Sequence, residues 1–482
     1  MAKFNQTKTG PAMVNNYAGG EAYAMTPELA FAFTLMTSFG EDQAYRGFDQ
    51  LVKDLEAYVI NSKDVEFLAK SAVFARKEFG MRSITHVVAS ILAKHIAKQS
   101  WAKEFYAAVI NRPDDITEIL SYHLGKKQKV SNAMKKGLAK AFNQFDEYQL
   151  AKYRGENKGI KLVDAVNMLH PVPTERNAKA LEKLIKGALS VGTSTWEGAL
   201  TKAGQTAETE EELVINKSNA WNEQIASKKI GYFALLRNLR NIMQDAPTAI
   251  DAACEMLVDP KLISKSLVLP FRFVTAYDEI AKLRSTDYNA NKVLNAISKA
   301  MDISVSNVPK FEGRTLVVLD ESGSMCGRPI EIGSLFAAAL FKSNGCDVIT
   351  FGGDARYRTD IKQIDSIMST KQQLSRTPGG STNFHSIFQR ANKAYDRIII
   401  LSDQQGWVGY YTPKAAFAEY KKRYNCDPII YSFDLNSYGT MQFPESKVYA
   451  LAGWSDKVFD IMQLLETDRK AFINKVKSIS FE

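Results

Sequence analysis

The sequence predicts a chain of the α + α/β class, with an all-helical part over residues 1–309 and an α/β part over residues 310–482. In the first part, apolar residues recur at helical spacing and strand signals are almost absent. The spacing of apolar residues changes from helical to strand-like at residues 311–315. After this point, short β-branched runs alternate with helical stretches. This alternation is typical of a parallel sheet with helices on both faces.

The helical part follows a polar, irregular lead-in over residues 1–20. Thr26 and Pro27 suit the start of the first helix, as cap and first-turn residue. Further apolar helical faces occur in residues 51–59, 65–79, 85–98 and 104–111. Short polar connectors over such a long helical stretch favour stacked helical pairs of the solenoid kind over a compact bundle. No clean sequence repeat is present, so the repeat number stays open.

The α/β part is predicted from a second series of segments. Strands are expected at residues 315–320, 346–353 and 397–403, and helices at residues 334–342 and 384–395. The strand segments are almost wholly apolar rather than alternating, which indicates burial on both faces. In such sheets the loops at the carboxyl ends of the strands form the binding site.

Composition limits the class of partner. A chain of 482 residues with 45% hydrophobic residues can form two or more cores. Its net charge of +9 favours an anionic partner such as nucleic acid, a membrane surface or an acidic protein, although excess charge also aids solubility. The four cysteines are far apart and form no C-x-x-C pair, which argues against a zinc site and a disulfide framework. With a polar amino terminus and no long apolar run, we expect a soluble cytoplasmic protein that does not enter a membrane.

A candidate metal motif ends the first predicted strand. Residues 315–324 read TLVVLDESGS, so that Asp320, Ser322 and Ser324 follow one another at alternate positions. One carboxylate and two hydroxyls can converge on Mg²⁺, which prefers oxygen ligands and tolerates neutral ones. Asp and Ser are also common loop residues, so an ordinary turn is the alternative interpretation.

Two later loops supply further oxygen atoms in the order such a site needs. The Gly-rich residues 378–384 place Thr382 just before a helix, and the strand of residues 397–403 ends in Asp403. Together the motifs resemble the metal-ion-dependent adhesion site of von Willebrand factor A domains, with the residues Asp320, Ser322, Ser324, Thr382 and Asp403. The resemblance implies a Rossmann-like, doubly wound sheet that binds Mg²⁺ or another divalent cation. It also implies direct ligation by the hydroxyls, ligation by the two Asp residues largely through water, and one open position for a partner's carboxylate.

The lysine-rich segment, residues 126–161, holds ten basic and three acidic residues. Aromatic residues interrupt it, among them Phe142, Phe145, Tyr148 and Tyr153. Basic groups beside aromatic rings suit phosphate neutralisation and base stacking, so the segment predicts RNA or DNA contact. The alternative is a solvated helix face above core aromatics. The RNA-contact candidates here are Lys129, Lys135, Lys136, Lys140, Lys152, Tyr153, Arg154, Lys158 and Lys161.

A second resemblance covers most of the chain. Residues 129–171, 194–200, 233–242 and 269–277, with the lead-in of residues 15–41, are similar to the TROVE domain of the Ro autoantigen family. That family joins this domain to a carboxyl-terminal von Willebrand A domain, which is the order found here. The resemblance implies a monomeric ring of HEAT-like helical repeats closed by the A domain. Small noncoding Y RNAs would bind the outer surface, and single-stranded ends of misfolded RNA would enter the central hole.

The family's Y RNA contacts match Lys152 and His170 in this sequence. The family has a further basic residue near Glu156 or Asn157, where only Lys158 is close, so RNA choice or affinity is expected to differ. Taken without the resemblance, His170 before Pro171 is an ordinary capping or core histidine.

Arg237 and Arg240 form a second candidate RNA contact. They share one helix face with Asn241, while Leu235, Leu236 and Leu239 form the core stripe. The arginines can contact phosphates or pair with acidic groups on a neighbouring helix, and the second interpretation is slightly favoured.

No enzyme activity is expected, because the sequence holds no G-x-x-x-x-G-K-[ST], H-E-x-x-H or G-x-S-x-G motif. The leading hypothesis is a noncoding-RNA-binding protein of the Ro type, acting in RNA quality control or processing, with an exonuclease or another protein as a further candidate partner. The alternative is a Mg²⁺-dependent adaptor whose A domain binds an acidic residue of a partner protein.

Overall fold

The computed structural model describes residues 13–16, 18–24, 27–37, 47–190, 196–376, 379–407, 412–436, 438, 440–443, 447–451, 457–467 and 471–481. The expected helix cap Thr26 and the first residue of the Gly-rich loop, Pro378, lie outside these ranges. Within them, no helix is both long enough and apolar enough to cross a membrane.

The first part of the chain is helical after a short hairpin, β1 (Met13–Asn15) and β2 (Glu21–Ala24). Its helices are α1 (Pro27–Thr37), α2 (Phe48–Asn61), α3 (Val65–Lys77), α4 (Ser83–Ile96), α5 (Ala102–Ala108), α6 (Pro113–Gly125), α7 (Asn132–Ala141), α8 (Glu147–Lys152), α9 (Leu162–Leu169), α10 (Ala178–Ile185), α11 (Trp196–Gln205), α12 (Glu210–Ala226), α13 (Tyr232–Asp245), α14 (Ile250–Leu257), α15 (Pro260–Ser266), α16 (Phe271–Ala281) and α17 (Ala290–Ser304). Helices close in sequence pack together, as α5 does with α7 and α16 with α17.

The second part alternates strands and helices. Its strands are β3 (Thr315–Asp320), β4 (Asp347–Phe351), β5 (Ala355–Tyr357), β6 (Arg397–Ser402), β7 (Ile429–Asp434), β8 (Thr440–Met441) and β9 (Val448–Leu451). Its helices are α18 (Arg328–Asn344), α19 (Ile367–Leu374), α20 (Phe384–Arg390), α21 (Pro413–Tyr424), α22 (Lys457–Thr467) and α23 (Ala471–Lys477).

Six strands form a mixed sheet in the order β5-β4-β3-β6-β7-β9. The five strands from β4 to β9 in this order pair in parallel, as predicted, and the edge strand β5 pairs with β4 antiparallel. The antiparallel edge was not predicted. Only residues 352–354 separate β4 from β5, which is too short for the crossover that a parallel pair needs.

Both faces of the sheet are buried, which explains the continuous apolar runs in its strands. All six residues of β3 are buried. On one face, Val317 and Leu319 join the apolar core that includes α18 and much of the helical part. On the other face, Leu316 and Val318 belong to a separate apolar core with residues of α20 and α21.

The helix expected over residues 384–395 is shorter than predicted and ends at Arg390. The following backbone is held by a buried tyrosine on α21. The Tyr420 hydroxyl donates to the carbonyl of Lys393 at 2.9 Å and accepts from the backbone N–H of Tyr395 at 3.0 Å. This tertiary contact takes the backbone groups that further helical turns would have used.

The amino-terminal lead-in is not wholly irregular, contrary to the prediction. Strand β1 pairs with β2, and β2 pairs with β8 from the far end of the chain. Asn16 fixes the turn between β1 and β2, since its side-chain oxygen accepts from the backbone N–H groups of Ala18 and Gly20.

The carboxyl-terminal residues pack against the first helices of the chain. Helix α23 packs on α3, with the ring of Phe472 lying 5.5 Å from that of Phe33 and 6.1 Å from that of Phe74. Further on, Phe481 stacks on Trp101 with ring centroids 5.3 Å apart. The two ends of the chain are therefore joined through aromatic packing.

A buried ionic network ties α3, α4 and α6 together. Asp115, which has no solvent exposure, accepts from Arg76 at 2.7 Å and lies 2.9 Å from the His86 ring nitrogen. It also accepts from the backbone N–H groups of Asn111 and Arg112. Burial alone would raise the pKa of Asp115, but the His86 hydrogen bond and the Arg76 charge outweigh burial and hold this pKa well below its usual range.

We predict that Asp115→Asn lowers the free energy of unfolding by about 3–5 kcal/mol, because it leaves the buried Arg76 without its counter-charge. Urea denaturation at neutral pH measures the change. Since the folded-state pKa is depressed, the contribution of Asp115 is present above the carboxyl's ordinary pKa and is lost as the pH falls through the folded-state value. Glu182→Gln, on an exposed pair with Lys186, is the control and should leave the urea midpoint unchanged. An equal effect of both substitutions would contradict the assignment.

Candidate functional site

The predicted metal residues meet at the carboxyl ends of two neighbouring strands. Asp320 ends β3, and Asp403 directly follows β6, the parallel neighbour of β3. Asp320 accepts from the backbone N–H of Ser322 at 2.9 Å and from the hydroxyl of Ser402 at 2.6 Å. The hydroxyls of Ser322 and Ser324 lie 3.3 Å apart. Asp320, Ser322 and Asp403 are buried and Ser324 is half-buried.

Thr382 reaches the same place through the third loop. Backbone hydrogen bonds join this loop to the other two, from Gly323 N to Gly380 O at 3.2 Å and from Trp407 N to Thr382 O at 3.2 Å. Thr382 is 2% exposed. The three loops that the sequence singled out therefore form one hydrogen-bonded unit.

The amino-terminal hairpin of β1 and β2 also contacts this unit, at the loop that follows Asp403. The sequence did not indicate this contact. The Asn16 amide donates to the carbonyl of Gly406 at 2.6 Å. Gly20 lies so close that a Cβ there would be 2.0 Å from the Gly406 oxygen. Only glycine fits at position 20 while the Asp403 loop keeps this position.

The electrostatics of this unit favour a cation. Burial raises the pKa of both Asp320 and Asp403, and the charge of Asp403 raises that of Asp320 further. The Oδ2 atom of Asp403 is buried and has no hydrogen-bond partner among the described residues. A hard divalent cation would compensate the buried charge and occupy the unused oxygen. The donor set therefore fits Mg²⁺ or a similar ion.

The site depends on hydroxyls as much as on carboxylates. Within the described residues, no group of three or more His, Cys, Asp or Glu side chains is placed to hold a metal ion. A cation here would need Ser322, Ser324 and Thr382 in addition to the two aspartates.

The lysine-rich segment contains α7 and α8 and ends at Lys161, directly before α9. Its exposed lysines include Lys129, Lys136, Lys140, Lys152, Lys158 and Lys161, while Lys135 is half-buried. Lys136 and Lys140 lie one turn apart on α7. Phe142 and Phe145 are buried, so for these two rings the core interpretation holds.

Lys152 is engaged by other protein groups. Its ammonium pairs with the carboxylate of Glu197 on α11 and donates to the Tyr148 hydroxyl at 3.1 Å. Burial lowers the pKa of Lys152, but these two partners outweigh burial and raise it overall. His170, the other residue carried over from the family, is exposed and ends α9 in the left-handed conformation with φ 51°.

Four further candidates of this segment make contacts with other protein groups. The Arg154 guanidinium donates to the carbonyl of Leu189 and pairs with Glu156 at 3.2 Å. Lys158 lies 3.5 Å from Glu118. The backbone N–H of Lys161 donates to Asp164 at 2.8 Å, and the Arg112 guanidinium lies 4.2 Å above the ring of Tyr153.

Arg237 and Arg240 line a groove of about 590 Å³ between α13 and α16. Arg240 lies 3.7 Å from Glu279 on α16, which agrees with the favoured interpretation of inter-helix pairing. The groove also contains Arg272 and two aromatic residues, Phe233 and Phe271. Phe233 is 38% exposed. Sequence analysis missed Phe233, although it lies one helical turn before Arg237 on the same face.

The family model of the TROVE domain matches residues 39–203 and 192–315. Telomerase protein component 1 of Mus musculus is 24% identical over 302 residues, which is 46% of this chain and 11% of that protein. RNA-binding protein RO60 of Deinococcus radiodurans is 26% identical over 337 residues, which is 60% of this chain and 62% of that protein. The chain thus spans a small part of the first relative and less than two thirds of the second.

Among solved structures, the crystal structure of the Deinococcus radiodurans RO (RSR) protein superposes with a TM-score of 0.62. The alignment has 16% identity and covers 90% of this chain and 99% of that one. At this identity the match establishes the fold. Because the TROVE model covers more than half of its residues, the chain belongs to the TROVE domain family, and its fold is that of a Ro protein.

Proposed function

We propose that this chain is a noncoding-RNA-binding protein of the Ro type. The observation that carries the proposal is the lysine-rich segment, residues 126–161, whose exposed lysines lie within the part of the chain that matches the TROVE domain. A relative with this domain is named RNA-binding protein RO60. The expected ligands are small structured RNAs of the Y type and misfolded RNAs with single-stranded ends, in RNA quality control or processing.

Structured RNA would bind the lysine-rich segment mainly through its phosphates. Each phosphate that a lysine neutralises releases counterions, so the affinity should fall steeply with salt and depend little on sequence. Lys136 and Lys140 suit this role, since both are exposed and neither makes an ion pair within the described residues. Lys152 and His170 would add contacts of the kind that the family uses.

Unpaired RNA would bind the groove between α13 and α16. Arg237 and Arg240 can contact phosphates, while the exposed ring of Phe233 can stack on a base. The packing of α23 on α3 supports the proposal that the helical part and the sheet part close into a ring. A hole too narrow for a duplex would then select single-stranded ends.

We also propose that the sheet part is a von Willebrand A domain with a divalent-cation site. Asp320, Ser322, Ser324, Thr382 and Asp403 would hold the ion, and the unused Asp403 oxygen supports this assignment. The bound cation would supply an open position for a carboxylate of a partner protein. Trp407, which is 55% exposed beside this loop, favours the second candidate function, a Mg²⁺-dependent adaptor.

We predict that Lys136→Glu with Lys140→Glu weakens binding of a structured RNA with a single-stranded 3′ tail. Loss of two phosphate contacts should reduce the slope of log K against log salt by about 2. Fluorescence anisotropy over a salt series, with blunt duplex RNA and duplex DNA as comparison ligands, measures both quantities. Lys414→Glu with Lys422→Glu, two exposed lysines on α21, is the matched control and should leave affinity and slope unchanged. Equal effects of the two double variants would count against the lysine-rich segment.

Phe233→Ala is expected to weaken binding of the tailed RNA by about 1–3 kcal/mol, the usual range for a lost base stack. Binding of the blunt duplex should not change, because a paired base offers no free face to Phe233. Ile60→Ala removes an exposed apolar side chain from α2 and serves as the control. If Phe233→Ala affected both RNAs equally, the groove would not be a single-strand site.

Mg²⁺ is expected to raise the melting temperature of the wild-type protein, by a stabilisation of about 2.7 kcal/mol at a hundredfold excess over Kd. Asp403→Asn should lose this rise and keep the RNA affinity, since the site and the lysine-rich segment lie in different parts of the chain. Thermal unfolding with Mg²⁺ or EDTA and a parallel RNA titration measure both effects. Loss of RNA binding in a folded Asp403→Asn protein would mean that the assumed division between the two parts is wrong.

A further inference from the structure

We propose that a groove between β5 and α19, here named the arginine groove, binds a phosphate group. Its volume is about 620 Å³, and its polar lining includes Arg356, Arg358, Ser369, Gln372, Gln373 and Arg376. It lies in the sheet part, and its lining shares no residue with the lysine-rich segment or with the groove between α13 and α16. The proposal is therefore separate from the proposed RNA sites of the helical part.

The fold brings three arginines to this groove from two elements. Arg356 and Arg358 are alternate residues of the edge strand and its extension, so their side chains leave the same face of the sheet. Arg376 follows the end of α19, whose Ser369, Gln372 and Gln373 line the opposite wall. Among the described strands, β5 lies at the edge of the sheet, so none of them pairs with its outer side.

Positive charge is left over after the internal pairs are formed. The Arg358 side chain is 8% exposed, and its guanidinium donates to Asp360 at 2.8 and 2.7 Å and to the Gln373 carbonyl at 2.9 Å. Arg356 pairs with the buried Glu321 at 2.7 Å but is itself 51% exposed. Arg376 is exposed and pairs with no carboxylate in the described part of the chain. Among the described residues that line the groove, Asp360 is the one with an acidic side chain.

The hydrogen-bond donors that line the arginine groove favour a phosphate as its ligand. Guanidinium groups present paired N–H donors that match the oxygens of a phosphate, and the Ser369 hydroxyl and the Gln372 amide add neutral donors. A lining so rich in polar groups offers little to an apolar ligand. A phosphate here can belong to an RNA backbone or to a small phosphorylated molecule.

The internal pairs decide which arginine to change. Removing Arg356 would leave the buried Glu321 unpaired, and removing Arg358 would free Asp360 and the Gln373 carbonyl. Arg376→Ala avoids both problems, and Gln372→Ala is a second variant at an exposed position. Arg423→Ala is the matched control, since Arg423 is an exposed arginine on α21, which covers the opposite face of the sheet.

The test is isothermal titration of the full chain with inorganic pyrophosphate, without Mg²⁺ and at constant ionic strength. We expect saturable binding whose Kd rises on the order of tenfold in Arg376→Ala, the effect of losing one charged hydrogen-bond donor, with a smaller rise in Gln372→Ala. Arg423→Ala should bind as the wild type does. Absence of saturable binding, an unchanged Kd in Arg376→Ala, or an equal rise of Kd in Arg423→Ala would overturn the proposal.

A second titration with a short unpaired oligoribonucleotide identifies the source of the phosphate. If Arg376→Ala weakens this binding and pyrophosphate competes with it, the groove takes an RNA phosphate. If Arg376→Ala loses pyrophosphate and keeps the oligoribonucleotide, the groove takes a small phosphorylated ligand. Both results support a phosphate site. The proposed RNA function is tested separately, with the Lys136→Glu, Lys140→Glu protein and the tailed RNA, so its failure and the failure of the arginine groove give different results.

Discussion

A single apolar core runs from the helical part into one face of the sheet, and the placement of every candidate site depends on it. Phe336 on α18 is its central contact. The Phe336 ring stacks on Phe271 of α16 with centroids 4.3 Å apart and lies 5.7 Å from Phe459 on α22. Protein interiors are close-packed, so moving the helical part relative to the sheet would open cavities in this stack. The groove between α13 and α16, which shares Phe271, therefore keeps a fixed position relative to the loops of Asp320 and Asp403.

The helical part and the sheet part are joined a second time, at the ends of the chain. There Phe472 lies against Phe33 and Phe74, and Phe481 stacks on Trp101. Two separate apolar contacts between the same two parts restrict hinge motion more than either alone, because both would have to separate together. Strand β2 adds a third connection through β8, which follows β7 of the sheet. These contacts are the physical basis for proposing a closed ring.

The sequence predicted the elements whose structure depends on the local residue pattern. It did not predict the contacts between residues that are distant in the chain. Strands β3 and β6 were predictable because both are almost wholly apolar, and parallel neighbours bring Asp320 and Asp403 to one edge of the sheet. The hairpin of β1 and β2 was not predictable, because the strand that pairs with β2, β8, lies more than 400 residues away in the chain. The ion pairs of Lys152 with Glu197 and of Arg356 with Glu321 could not be predicted for the same reason. In both pairs the two residues are distant in the sequence, and the residues around one do not indicate the other.

The lysines of the lysine-rich segment therefore differ in what RNA binding would gain from them. Lys136 and Lys140 are exposed and make no ion pair within the described residues, so their contact with phosphate would gain the full effect of counterion release. Lys152 already has a carboxylate partner, and the other oxygen of Glu197 is buried without a hydrogen bond among the described residues. A phosphate that drew Lys152 away would leave this carboxylate uncompensated, which is costly in a half-buried position. The unpaired lysines should thus supply most of the RNA affinity. Lys152 would contact a phosphate only in a complex in which the RNA also compensates the carboxylate of Glu197.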